Sequence, residues 1–576
     1  MAWGETGRRL NAIFERNRDA FVNIEDGFDV HDVAWWECRN MSERGPYSTS
    51  FITECCRVIL FEEIILGDGK HLFLVEEEDM LNVLYASARS RGLCPVRAAA
   101  RRIQLGMGNW IRTLTAAARF AKAIVRRGHI LRDLRKHRKQ HPAPHSALAE
   151  CDVLVAAWTK AGDFPSAGQR DLAHSMGFLP RHLRERGLKV GYIALPLDEI
   201  SDPTEIHRNV TGATDLVVLP DDALRFRDLL AVAIWSLGNR ARPKTTFRIA
   251  GHDLSQVARM VLRREAFDWR PVNARLLSQL GPWLAKAGGT PDAVFHVYEN
   301  QTWEKGLRQG LRAALPQTRI IGCHQSPMSA LYPSMWPSRA ETRAGRWPDV
   351  VLTHGENGRR TLLESGIAPG RVLTAGLFRD SAFIVPRATR NRGASPVRLL
   401  CATGPGFQEC CELVRKAGAA AAERPGTQVL VNFHPLTIDD FRTNVRSFAA
   451  THCPPGIDIR YSDAPIRDLL NDGFDAVLYA DTNSGFEAVS SGARAINVAR
   501  DHALAFDKLP EGLSRRVYSV EDIQTAIDEL ADPQWWPTEH VVETLMADCF
   551  AVADIDVVLS AAWPVKSTST AEKVIQ

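Results

Sequence analysis

Gln428-Val-Leu-Val-Asn-Phe-His434-Pro435 and, further on, Asp475-Ala-Val-Leu-Tyr-Ala-Asp481-Thr482-Asn-Ser484-Gly-Phe-Glu487-Ala-Val-Ser-Ser-Gly492 decide the reading of this chain. Each begins with a short Val- and Leu-rich run bounded by turn residues, the pattern of a strand buried in a parallel sheet. The first run ends in His-Pro, and the second gives way to a hydroxyl-rich turn that opens a helix near Ser484. Ligands of open α/β sheets lie beyond the carboxyl ends of the strands. The expectation is that His434, Thr482 and Ser484 stand at two successive strand ends. The start of a helix adds free N–H groups and a positive dipole end. One imidazole, two hydroxyls and a helix N-terminus are what a bound phosphate asks for. Each part has a plainer reading, since Pro after a strand is ordinary punctuation and Thr-x-Ser before a helix is an N-cap.

The same rhythm extends upstream. Val397-Arg-Leu-Leu-Cys-Ala402 reads as a strand, followed by the turn Thr403-Gly404-Pro405-Gly406-Phe407 and a helix from Gln408. Gly404 and Gly406 allow close backbone approach to a nucleotide, although the spacing is not G-x-G-x-x-G. Strands are expected at 152–158, 189–195, 215–219, 293–298, 319–323 and 349–353, with long helical stretches at 222–239 and 254–287. Nearer the N-terminus, Arg57-Val-Ile-Leu-Phe and His71-Leu-Phe-Leu-Val read as strands, and Met80 to Arg91 as a helix. A chain of 576 residues exceeds what one core supports. The Arg-, Gly-, Pro- and Ser-rich stretch before 396 reads as an exposed linker. The expected division is an N-terminal domain 1–380, a linker 381–396, a C-terminal domain 397–566 and a frayed tail 567–576.

Apolar content of 45% and charged content of 24% are those of a soluble globular protein. The eleven cysteines include no C-x-x-C, and pairs such as Cys55-Cys56 and Cys410-Cys411 read as reduced core thiols. The N-terminus lacks the apolar core of a signal peptide and no run reaches the ~18 residues of a spanning helix, so a cytoplasmic protein is expected. The net charge of +3 hides an asymmetry: residues 97–141 carry thirteen basic side chains and one acid, leaving −9 for the rest. This segment has a helical pattern, with Ile103, Met107, Trp110, Leu114, Ala121 and Ile124 on one face and Arg112, Arg119 and Arg126 on another. Gly128 is expected to break it in two. A basic helix with an aromatic apolar face reads as a peripheral binder of an anionic membrane surface. The plainer reading is a packed insertion with a solvated basic face. The absence of zinc, RRM or helix-turn-helix signatures argues against nucleic acid.

Asn432-Phe433-His434-Pro435 followed by Asp481-Thr482-Asn483-Ser484-Gly485 resembles the HP and Ser/Thr motifs of bacterial sialyltransferases and related Kdo transferases. The resemblance spans roughly residues 290–510. Tyr298-Glu-Asn-Gln-Thr-Trp-Glu304 and Gly322-Cys-His324-Gln325-Ser are more loosely similar to bacterial surface-carbohydrate biosynthesis proteins. The resemblance implies an α/β fold of two Rossmann-like domains (GT-B-like), with the basic helical insertion in the N-terminal one. It implies transfer of an acidic sugar, Kdo or another nonulosonic acid, from a CMP-sugar donor to a glycan or lipid-linked glycan. His434, Thr482 and Ser484 would hold the donor phosphate, and Gly404, Gly406 and Pro435 the nucleotide. Glu487 would either cap its helix or reach the ribose. Neither metal nor cofactor is implied, and the place of work would be the inner face of the bacterial inner membrane.

Sugar transfer needs a group to manage the acceptor proton or the charge developing at the anomeric carbon. Glu299, expected at the end of the strand Ala293–Tyr298, is the leading candidate. Glu304 is the second, with a place inside the following helix as its alternative. Asn300, His324 and Gln325 are candidate acceptor or donor-sugar contacts. Two rival readings stand beside this one: a UDP-sugar-dependent transferase or epimerase of the same fold, and a non-catalytic membrane-attached scaffold.

Overall fold

The computed structural model describes residues 3–45, 48–67, 71, 73, 75, 77–95, 102–140, 148–159, 176–196, 203–211, 215–238, 240–245, 247–324, 332–378, 396–435, 437–532 and 537–564. Of residues 3–4, 102–109, 137–140, 203–204, 207, 211 and 531 only the backbone is described. Gln325, nearly all of the expected linker and the expected tail lie outside the described residues.

The strands, in chain order, are β1 (Phe28–Val30), β2 (Val153–Thr159), β3 (Val190–Pro196), β4 (Val217–Val218), β5 (Ala241–Pro243), β6 (Arg248–Ile249), β7 (His252–Asp253), β8 (Ala293–Tyr298) and β9 (Arg319–His324). There follow β10 (Val350–Thr353), β11 (Val372–Thr374), β12 (Arg398–Ala402), β13 (Gln428–Asn432), β14 (Asp458–Ser462), β15 (Ala476–Tyr479), β16 (Arg494–Val498) and β17 (Ser514–Val517). Seven form one sheet in the order β11-β10-β9-β8-β2-β3-β4, and six form another in the order β14-β13-β12-β15-β16-β17. Every pairing within these two sheets is parallel. Both have the same winding. The first strand lies inside, the chain steps outward on one side, then crosses to the other. The Rossmann-like switch points therefore fall between β2 and β8 and between β12 and β15. Covering helices explain the near-continuous apolar strands: all six residues of β8 are buried.

The N-terminal helices form a unit with its own core, including Leu10, Phe14, Trp36, Phe51, Ile59 and Val257, and this core takes in Leu504 and Phe506 from the second sheet's domain. The segment Arg57–Phe61, expected as a strand, is helical within Phe51–Ile65. Cys55, Cys56, Val58, Ile59 and Leu60 are all buried there, and a short run buried on several sides has no periodicity to separate strand from helix. At the second expected strand, only 71, 73 and 75 of residues 71–75 are described, and none is assigned to a strand. The basic segment is a single 39-residue helix, Arg102–Gln140. Gly128 does not break it. A Cβ there would meet the Phe226 ring at 2.9 Å, so the glycine admits the crossing helix Phe226–Leu237. The helix Ile555–Ala562, expected within the C-terminal domain, returns to the first: Val558, Ala561 and Ala562 lie in the core of the seven-stranded sheet. Among the described residues no helix is long and apolar enough to cross a membrane. All eleven cysteines are free, nine of them buried.

Candidate active site between the two sheets

Three adjacent strand ends of the second sheet carry the expected phosphate-binding residues. β12 lies between β13 and β15, so the turn Thr403–Gly406 separates His434 from Thr482 and Ser484. The two ends are therefore not successive, since β14 intervenes in the chain and β12 in the sheet. Thr403 ties the ends together. Its hydroxyl donates to the Asn432 carbonyl at 3.1 Å and accepts the His434 N–H at 3.1 Å. His434 is half-buried and Pro435 exposed.

On the other side, the Thr482 hydroxyl accepts the Ser484 N–H at 3.2 Å, a local turn bond, while the N-cap position is taken by Asn483 with no side-chain cap bond. Ser484 opens a helix of seven residues, Ser484–Ser490. Gly485 is required for packing, because a Cβ would collide with Leu509 and the Tyr479 ring. Glu487 is half-buried in the first turn, where its charge complements the helix dipole.

The glycine turn differs from the expectation in one respect. The buried Glu409 carboxylate rests where a Cβ of Gly404 would be, so the room that glycine leaves is used by the chain itself. Glu409, Asp481, Arg500 and Thr53 line a cavity of about 80 Å³ closed by the loop Ala503–Phe506. Small-molecule pockets are commonly ~300–1,000 Å³. This cavity is smaller than that, and two carboxylates, Glu409 and Asp481, stand in its wall beside Arg500.

At the first sheet's switch point, β8 ends in Glu299-Asn300-Gln301. Asn300 has a left-handed backbone, φ 57°, an unusual conformation for a non-glycine residue at the end of a strand. Its side chain is buried and donates to Glu341 Oε1 at 3.5 Å, so it faces inward, not toward a ligand in the cleft. Glu341 is buried between Arg44 at 3.0 Å and Lys305 at 2.6 Å, and these cations hold its carboxyl well below the usual range despite burial. Breaking such a buried network by removing one partner costs about 3–5 kcal/mol. Glu304 is fully buried in the helix Thr302–Ala314 and accepts the N–H groups of Glu299, Asn300 and Gln301 at 2.9, 3.1 and 3.0 Å. Burial pushes its carboxyl up to about 8, against the pull of Arg308 and those donors. Its placement makes it the support of the turn. Glu299 is half-buried and accepts the Gln301 amide at 2.6 Å.

His324 is likewise internal. It stacks on Tyr298 at 5.5 Å, lies against Gly358 and is held neutral by burial, its pKa lowered to about 3.

Acids from both sheets and from the N-terminal unit act on Tyr332. Its phenol lies within electrostatic reach of Asp481 from the second sheet, Glu299 from the first and Glu43 from the N-terminal unit, and burial together with these acids pushes its pKa well up. Its ring packs edge-on to Phe506 at 5.9 Å and lies under Lys508 Nζ at 5.5 Å. Glu43 also accepts the N–H of Thr302, at the start of the helix behind Glu299, at 3.1 Å. Sequence reading missed Asp481, Tyr332, Glu43 and Glu409. Asp481 carried a signal, standing in the strand-end turn beside Thr482; the other three did not. Among the described residues no group of three or more His, Cys, Asp or Glu side chains is arranged to hold a metal ion.

No protein-family profile matches the chain, and no curated protein matches it. Among solved structures, the UDP-GlcNAc 2-epimerase from Neisseria meningitidis bound to UDP-GlcNAc is similar with a TM-score of 0.39 and 12% identity, over 71% of this chain and 97% of that one. The calicheamicin glycosyltransferase CalG4 is similar with a TM-score of 0.39 and 16% identity, over 72% and 95% of the two chains. The lipopolysaccharide outer core galactosyltransferase WaaB gives 0.36 and 9%, over 71% and 98%.

Proposed function

We propose that the protein is a glycosyltransferase of bacterial surface polysaccharide assembly that takes an acidic sugar from a CMP-sugar donor. One observation carries the reading: Glu299, at the switch point of the first sheet, and Asp481, at that of the second, both lie within electrostatic reach of Tyr332. A cleft between domains is the default ligand site, and carboxylates at the two strand ends suit the handling of an acceptor hydroxyl beside a donor sugar. The donor phosphate lies by His434 and the Ser484 turn, as in the family that the two motifs resemble. The acceptor is a glycan or lipid-linked glycan.

The basic helix supplies the meeting place with a lipid-linked acceptor. Trp110, Ile111, Leu114 and Val125 are exposed on it, at 72, 58, 62 and 58%, among Arg119, Lys122, Arg132, Arg135 and Lys136. A groove of about 710 Å³ between this helix and Phe226 and Leu230 continues the apolar surface. Exposed apolar side chains ringed by cations suit an anionic bilayer surface.

A second reading, a UDP-sugar-dependent transferase or epimerase, is favoured by the acids around Tyr332. Glu43, Glu299 and Asp481 repel an anionic sugar and tolerate a neutral one. The deciding measurement is the thermal stabilisation of the protein by CMP and by UDP, because a ligand that binds only the folded state raises its melting temperature. Stabilisation by CMP supports the donor proposed. Stabilisation by UDP alone replaces it with the second reading, and no response to either leaves the scaffold.

A further inference from the structure

Away from the cleft, the N-terminal unit carries a groove of about 770 Å³ whose walls include Trp35, Asp79 and four arginines, Arg39, Arg242, Arg259 and Arg263. Arg242, Arg259 and Arg263 are exposed, and none has an ion-pair partner among the described residues. Arg259 and Arg263 are four apart on one helix, Ser255–Arg264, where like charges repel. Asp79, the one acid of the wall, lies 3.8 Å from a different arginine, Arg264.

Arg39 is 2% exposed, and its guanidinium lies 4.0 Å over the Trp35 ring and donates to the Ser236 carbonyl. Its Nε and the Trp35 Nε1 are buried without an acceptor. The nearby acids are engaged elsewhere. Glu265 accepts from Thr49 and Met41, and Asp268 accepts from Asn40 at 2.6 Å and Arg270 at 2.9 Å. Burial raises the Glu265 carboxyl to about 8, which weakens its charge at neutral pH, and Asp268 acts on Arg39 only through space. Three exposed arginines and the buried Arg39 around one groove, with orphaned N–H donors beside them and Asp79 as the single acid of the wall, make a predominantly positive site.

We propose that this groove binds a phosphate group, with Arg242, Arg259 and Arg263 as its charged contacts and Arg39 in its wall. Arginine forks match phosphate oxygens in pairs, and a multiply charged anion answers several cations at once. The phosphate belongs either to a soluble ligand or to a lipid headgroup. An apolar stripe on the helix Phe226–Leu237 runs from Leu237, in this groove, through Ile234 and Leu230 to Phe226, in the groove against the basic helix. A lipid chain lying on that stripe would bring its headgroup to the arginines. The site does not depend on the identity of the sugar donor.

The test is calorimetric titration with inorganic pyrophosphate, paired with sedimentation on phosphatidylglycerol and phosphatidylcholine vesicles. Wild type is expected to bind pyrophosphate, and Arg242→Gln/Arg259→Gln/Arg263→Gln to bind it about tenfold more weakly or worse, as expected for lost charged hydrogen bonds. Its melting temperature in buffer should stay that of wild type. Should the triple variant fold poorly, Arg242→Gln alone is expected to give a partial loss. Saturating CMP leaves this binding in place, which separates it from the cleft. Weaker sedimentation of the triple variant on phosphatidylglycerol identifies the lipid source, and unchanged sedimentation identifies a soluble ligand. Equal pyrophosphate affinity in wild type and a folded triple variant overturns the site, as does a wild type that binds neither pyrophosphate nor phosphatidylglycerol.

Discussion

Glu304 Oε1 accepts the backbone N–H of Glu299 at 2.9 Å, so the two carboxylates of this turn have opposite duties. One is buried and holds the backbone, and the other is presented at the strand end.

Glu299→Gln keeps the size and removes the charge. Turnover is expected to fall by about 10²–10⁴ with nucleotide affinity retained, as for loss of a general base. Steady-state kinetics and a binding titration on the same preparation check it. Wild-type turnover would move the role to Asp481.

Glu304→Ala is expected to act on folding. Three backbone donors, one buried and two part-buried, lose their acceptor, at about 1–3 kcal/mol for a buried donor left unsatisfied. Denaturant unfolding should show a clear loss of stability, whereas Glu299→Gln should unfold near wild type.

His434→Ala should weaken CMP binding by about tenfold or more, the size of a hydrogen bond to a charged group. Ser484→Ala should act in the same direction. Thr482→Ala also removes the hydroxyl that accepts the Ser484 N–H in the turn, so it is expected to lower stability as well as affinity. Unchanged CMP affinity in folded His434→Ala would sink the phosphate assignment.

His324 gives an acid-sensitivity test. Its folded pKa of about 3 lies below the ordinary 6.5, so the neutral ring's contribution to stability is present above pH 6.5 and lost as pH falls toward 3. The slope is about 1.4 kcal/mol per pH unit for each such histidine. Between pH 6.5 and 5, His324→Gln should therefore lose about 2 kcal/mol less than wild type in urea unfolding. Equal losses would mean that the imidazole is solvated or protonated in the folded state.

Reversal of Arg119, Arg132 and Lys136 to Glu should release the protein from anionic vesicles at low salt and leave CMP affinity unchanged. Each basic contact with such a surface is worth about 1 kcal/mol and is screened within a Debye length. Arg112 is a poorer choice, because it pairs with Glu77 at 3.0 Å. Wild type that ignores anionic vesicles makes this helix a packed insertion.

Local pattern alone determined the parallel strands, the strand-end positions of His434, Thr482 and Ser484, and the helical character of the basic segment, though not its continuity through Gly128, because burial on both faces of a sheet and helical spacing are written in neighbouring residues. The same pattern misread Arg57–Phe61, where an apolar run is equally compatible with a helix in a crowded core. Only the tertiary structure decided that Glu299 and Asp481 lie within electrostatic reach of Tyr332, that Glu409 occupies the space beside Gly404, and that Arg39, Arg242, Arg259 and Arg263 share one groove. These groups come from segments far apart in the chain, and their proximity is set by how the three units pack, which no local periodicity encodes.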